Sequence, residues 1–227
     1  MKALLLLSAL ALIAAPAYAL TECYSWENGG TWLGTSASPA AVDPTNVTGA
    51  QDGLCGDCAG GSYSCPGAYD GEYYLHVAES PHSGTPQVWI AWVSGLQTGD
   101  VVTASFYGYD ITADPASPSL RIWGGFTDAT GPAGYISSAV PSTPVPAYTP
   151  GGGWGITQYT YLAVPATASG LRVEARLYST PSSGTYRTDY WIDYVCVTAP
   201  DYAVIHFPEG QSPVESSTWG VIKALYR

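Results

Sequence analysis

The chain has 227 residues, including 26 Gly, 18 Pro, 18 Tyr and 8 Trp; only 11% are charged, and 7 Lys and Arg stand against 18 Asp and Glu for a net charge of −11. Such a composition is poor in helix formers and suits strands and loops. It excludes nucleic acid as a partner, because phosphate binding needs a basic stripe, while it leaves carboxylates to hold a hard cation.

The first residues read as an export signal. Lys2 supplies the charged start, Leu4 to Ala15 the apolar stretch and Ala17-Tyr18-Ala19 the small-x-small cleavage site, so residues 1–19 are expected to be removed and the mature chain to begin at Leu20. The apolar run is too short for a permanent anchor, and no later segment approaches spanning length. The product is therefore expected to be secreted, either extracellular or at the cell surface, without a transmembrane anchor.

Eight strand candidates follow, separated by Gly, Pro, Ser and Asp clusters: "ECYSW" (22–26), "GEYYLHVA" (71–78), "QVWIAWV" (87–93), "DVVTASFYGYDI" (100–111), "SLRIWGGF" (119–126), "ITQYTYLAVP" (156–165), "GLRVEARLYS" (170–179) and "YWIDYVCVT" (190–198). Eight short strands with no long helix between them imply antiparallel pairing and two packed sheets. The predicted fold is all-β, a two-sheet antiparallel β-sandwich of jelly-roll type over residues 20–200. Residues 35–70 form a Cys-rich insertion, "CGDCAGGSYSC" at its centre, long enough to need stapling or a function. The stretch 132–154 is too rich in Pro and Gly for a core strand, although short edge pairing fits it. After Pro200 the pattern weakens, and residues 201–227 read as a linker and tail.

Five cysteines in an exported chain point to disulfides. Cys55, Cys58 and Cys65 are clustered without a nearby histidine, which falls short of a zinc site and favours a local disulfide, Cys65 with Cys55 or with Cys58. If the first and last strands run antiparallel side by side, pairing Cys23 with Cys196 sets a register in which Glu27 comes within one residue of Asp193. Two acids so placed repel unless a cation lies between them; the competing reading leaves both solvated at a sheet edge.

"YSWENG" near the start and "YWIDYV" near the end resemble the N-terminal "FEDG" and C-terminal "IDDV" patterns of calcium-containing jelly-roll carbohydrate-binding modules and related galactose-binding-like domains. "TGDVVTASFYGYD", "PSLRIW" and "GLRVEARLYS" fit the same pattern, so the resemblance covers roughly residues 20–200. It implies a structural Ca2+ held by an early Glu and a late Asp together with loop carbonyls. Glu27 and Asp193 fall on those positions, and Asp70 is taken as a third ligand because calcium needs six to eight oxygens. Tyr194 departs from the pattern, standing where its second Asp falls.

Alternation in the strands puts Leu120, Ile122, Leu171, Val173, Ala175 and Leu177 on the core side, so Arg121, Trp123, Arg172, Glu174, Arg176 and Tyr178 point outward. Tyr107 and Tyr109 are read as sharing that face, and the loop aromatics Trp32, Tyr148 and Trp154 as completing a wall. Aromatic rings cover the apolar faces of a pyranose while charged groups take its hydroxyls, so this face is a candidate glycan or polysaccharide site. The plainer reading is that these rings are packing. No "GxSxG", "HExxH" or phosphate-cradling glycine loop is present, and none of the acids sits in a recognisable catalytic motif.

The ending "SPVESSTWGVIKALYR" departs from everything before it. Ser216, Ser217 or Thr218 caps a short predicted helix with Trp219, Ile222 and Tyr226 on one face. A linker before a basic-ended terminus resembles the layout of bacterial C-terminal sorting tails, which implies surface attachment or assembly through it. The leading expectation is a secreted, non-catalytic, calcium-stabilised carbohydrate-binding module. The alternatives are a structural surface or matrix protein with no small ligand and, more remotely, a glycoside hydrolase whose acids are not recognised.

Overall fold

The structure is a computed structural model that describes residues 19–28, 30, 32–35, 48–51, 66–71, 73–79, 87–110, 119–178 and 188–208. The export signal, Cys55, Cys58, Cys65, Arg187 and the tail from residue 209 lie outside the described residues, Ala19 excepted.

Twelve strands are described: β1 (Ala19–Tyr24), β2 (Gly34–Thr35), β3 (Thr48–Gln51), β4 (Tyr73–Glu79), β5 (Gln87–Ser94), β6 (Thr103–Asp110), β7 (Ser119–Thr127), β8 (Tyr135–Ser138), β9 (Gly153–Thr160), β10 (Gly170–Tyr178), β11 (Thr188–Pro200) and β12 (Val204–His206). They form two antiparallel sheets. The first has the order β3-β4-β11-β6-β9 with β1 also on β11, and the second the order β12-β5-β10-β7-β8 with β2 also on β5. All eight predicted strands are present, in a β-sandwich as expected. The sandwich runs past residue 200, since β12 pairs with β5 through Val204↔Ser94 and His206↔Trp92. His206 is clasped there, its Nε2 2.8 Å from Ser94 Oγ and its ring stacked on Trp92.

The alternation that marks the strands also builds the core. Leu75, Val77, Phe106 and Ile192 of the first sheet meet Ile90, Leu120, Ile122, Leu171 and Val173 of the second, all fully buried. Each such side chain contributes about 1.5–3 kcal/mol by leaving water.

β11 is the hub, bonded to β4 along its first half, to β1 along its second, and to β6 on its other side. Its alternation changes phase midway. Tyr190 and Ile192 face the core, and so do Val195, Val197 and Ala199, three and five and seven places on. The switch happens at a bulge between Asp193 and Cys196, where Tyr194 has φ 46°, a left-handed conformation that costs a tyrosine energy. Without that extra residue Cys196 would point into the core.

Because of the bulge, Cys196 sits on the outer face directly opposite Cys23, and the two are disulfide-bonded with Cα atoms 4.1 Å apart. The register is the one expected from the sequence. The bond closes a sequence separation of 173 residues, for which chain entropy alone gives about 5 kcal/mol of stabilisation.

Candidate functional site

Asp193 is fully buried. Its positive partners are backbone N–H groups: Tyr69 and Asp70 donate to Oδ2 at 3.0 and 2.9 Å, and Tyr194 donates to Oδ1 at 2.7 Å. Burial pushes its carboxyl up to about 7, against the pull of these three donors, and the nearby charge of Asp70 adds to the rise. Glu27, at the end of β1 in a short 3₁₀ turn over Trp26–Asn28, accepts a bond from Tyr73 N–H at 2.9 Å. The intervening Gly71 has φ +69°, and a Cβ there would stand 2.3 Å from the Glu27 carboxylate, so only glycine lets the turn lie this close.

The two acids are thus brought to one turn, as the register requires. Asp70 reaches Asp193 through its backbone N–H, while the residue itself is exposed. Among the described residues no group of three or more His, Cys, Asp or Glu side chains stands close enough to hold a metal. The chemistry of the donors still suits a hard cation in part. Oδ2 of Asp193 has both lone pairs engaged, Oδ1 keeps one, and the Glu27 carboxylate lies against the same turn.

The expected glycan face does not form as one surface. Arg121 and Trp123 on β7, and Arg172, Glu174, Arg176 and Tyr178 on β10, belong to the second sheet; Tyr107 and Tyr109 on β6, and Trp154 on β9, belong to the first. Alternation says which way a side chain points from its own strand, but not in which sheet the strand lies. Tyr178 closes β10 opposite Ser119.

On the second sheet Glu174 takes two of the three outward arginines as partners. Arg172 Nε lies 2.5 Å from Glu174 Oε1 and Arg176 Nε 3.3 Å from Glu174 Oε2, and Arg172 also donates to the carbonyl of Pro132 at 3.1 Å. Each guanidinium is stacked on aromatic rings: Arg172 between Trp89 and Tyr135 at 4.6 and 4.9 Å, Arg176 over Trp123 at 4.3 Å, Arg121 over Tyr148 at 3.8 Å. The Pro- and Gly-rich stretch does the covering. β8 pairs with β7, bringing Tyr135 over Arg172, and Tyr148 bridges Arg121. Glu174, Arg172 and Arg121 are consequently buried. Charged groups at these half-covered positions find each other and the rings laid over them. Trp32 likewise packs against the core and does not join a wall.

The first sheet carries the more open aromatic surface. Tyr69, from the turn that Asp193 holds, stacks on Tyr107 with ring centroids 3.5 Å apart, and Trp154 and Tyr194 flank it at 6.2 Å each. The Tyr69 side chain is bonded to that of Tyr107, which, with some burial, pushes its hydroxyl up to about 12. Trp154 Nε1 donates to the carbonyl of Gly67 at 2.7 Å, pinning the same turn from its other side. Beneath, Tyr109 packs edge-on against Trp154 and Trp191, and His76 stacks on Trp191. Tyr69 remains 43% exposed and Ile156, opposite Tyr107 on β9, 47% exposed. Sequence reasoning found Tyr107, Tyr109 and Trp154 but missed Tyr69, Tyr194 and Ile156. The signal for Tyr69 was the "YDG" turn, whose landing place is 123 residues away in sequence, at Asp193.

No protein-family model matches the chain, and no curated protein does. Among solved structures it is similar to the CBM22-2 xylan-binding domain of Paenibacillus barcinonensis Xyn10C, at 15% identity and TM-score 0.48 over 79% of this chain and 98% of that one. It is also similar to TmCBM61 in complex with β-1,4-galactotriose, at 12% identity and TM-score 0.40 over 76% of this chain and 92% of that one. A third is the K1 cleaved adhesin domain of Lys-gingipain from Porphyromonas gingivalis W83, at 14% identity and TM-score 0.40 over 78% of this chain and 97% of that one.

If the arginine face is a brace, its truncation damages the fold. Arg172→Ala leaves Glu174 short of its closest partner, and a loss of about 3–5 kcal/mol is expected in denaturant unfolding. Unchanged stability would mean that these groups are free for another partner.

Proposed function

We propose that this chain is an exported, non-catalytic carbohydrate-binding module whose glycan rests on the aromatic patch of the first sheet. The observation that carries this reading is the Tyr69 ring, half open to solvent, stacked on Tyr107 and flanked by Trp154 and Tyr194. A ring fixed on one face and open on the other suits the apolar C–H face of a pyranose, and the surrounding hydroxyls suit its polar edge. The arginines of the second sheet, stacked on rings and two of them paired with Glu174, argue for locating the sugar on the first. Export is supported by the Cys23–Cys196 bond, which needs an oxidising compartment to persist.

A structural calcium ion belongs to the same proposal. Glu27 and the free lone pair of Asp193 Oδ1 would hold it, with carbonyl or water oxygens making up the number. When bound, the ion would fix the turn that carries Tyr69. Calcium at about 100 times its Kd is expected to stabilise the domain by roughly 2.7 kcal/mol over chelator-treated protein, and Glu27→Gln to abolish the difference. Superimposable melting curves with and without chelator would remove the ion from the account.

Retention on insoluble polysaccharides tests the binding itself. Tyr69→Ala should weaken retention about tenfold or more while leaving the melting temperature close to wild type, since the ring is half exposed. Wild-type retention by this variant would contradict the assignment of the patch.

A further inference from the structure

Four threonines stand in one row beside the aromatic patch. Register pairs Thr21 with Thr198, Thr198 with Thr103, and Thr103 with Thr160, so the row crosses β1, β11, β6 and β9 without a break. It depends on the bulge at Tyr194, which turns Thr198 outward in phase with its neighbours. The hydroxyls are bonded in two pairs, Thr21 with Thr198 at 2.8 Å and Thr103 with Thr160 at 2.9 Å. The Thr103–Thr160 pair so bonded uses one O–H donor and one lone pair, leaving there one donor and several acceptors for a ligand. Thr160 is exposed, and Thr198 and Thr103 are half-buried.

The row lies four residues from Tyr107 along β6, about 13 Å, and its four strands span about 14 Å. Among the described residues, the outward ones between it and the aromatic patch include no Lys, Arg or Glu. The acid among them, Asp193, is fully buried, and the exposed Asp70 sits at the margin in the turn. An uncharged face about as broad as it is long, on a chain of net charge −11, is mismatched to polyanions and wider than a single sugar chain.

We infer that the threonine row and the aromatic patch act as one docking face for the surface of a neutral, insoluble polysaccharide, the rings stacking on sugars at one end and the hydroxyls bonding a neighbouring chain at the other. This rests on the glycan-binding reading and extends it to a second subsite and a class of ligand. Neutrality of the face is what commits it to a neutral polymer surface.

The test compares retention on microcrystalline cellulose, insoluble chitin and insoluble xylan with affinity for the soluble hexasaccharides of the same sugars. Wild type should bind one of the polymers at least tenfold more tightly per site than its hexasaccharide. Thr103→Val/Thr198→Val keeps the β-branched shape and removes one hydroxyl from each pair. It should lose about tenfold on that polymer with hexasaccharide affinity unchanged. Thr160→Lys, on the edge strand where lysine is tolerated, should weaken polymer retention similarly and serves if the double variant misfolds. Equal affinity for polymer and hexasaccharide, or wild-type retention by the threonine variants, overturns this inference while Tyr69→Ala sensitivity leaves the binding reading standing. Retention on none of the polymers, or retention indifferent to Tyr69→Ala, overturns both.

Discussion

A buried carboxylate facing three backbone N–H groups is the contact on which the organisation of the first sheet depends. Asp193 stands in an apolar strand where an unpaired acid would be too costly to keep, and the turn at residues 69–70 supplies its donors. The third donor is Tyr194, the bulged residue next to it. One side chain therefore fixes a distant turn, stabilises the bulge and, through the bulge, sets the phase of everything that follows on β11. The disulfide, the outward threonine and the seating of Tyr69 over Tyr107 are consequences of that phase.

The two outer faces of the sandwich solve the problem of half-covered polar surface in opposite ways. On the second sheet, three arginines are stacked on Trp89, Trp123, Tyr135 and Tyr148, and Glu174 is paired with two of them. Such an arrangement stabilises β8 and the segment around Tyr148 against β7 and presents little that is free to recognise a ligand. The first sheet is covered with uncharged rings and hydroxyls, whose unused faces and lone pairs remain oriented to solvent. A face of this kind can recognise sugars without the cost of separating buried ion pairs.

Much of this was readable from residues alone, and the boundary is instructive. Period-two alternation located all eight principal strands, and the spacing of Cys23 and Cys196 implied a register that also brought Glu27 toward Asp193. Short edge strands such as β2 and β3 escaped, because two to four residues carry too little periodicity. Sheet membership escaped as well: Tyr107 and Arg121 look alike as outward residues of adjacent strands, yet β6 and β7 belong to opposite layers. The bulge was present only as Tyr194 standing in place of an acid, and nothing local announces that a tyrosine will adopt a left-handed backbone. Partner choice at Glu174 was hidden for the same reason, since which arginine meets which ring is decided by long-range pairing.

Amide hydrogen exchange, read residue by residue in wild type and in Asp193→Ala, tests the central contact most directly. The amides of Tyr69 and Asp70, although they lie in a turn, should exchange as slowly as those of the core strands in wild type. In the variant they should exchange at rates near those of an open loop, while β7 and β10 in the other sheet stay protected. Fast exchange of both turn amides in the wild-type protein would contradict the account, because no carboxylate would then be holding them.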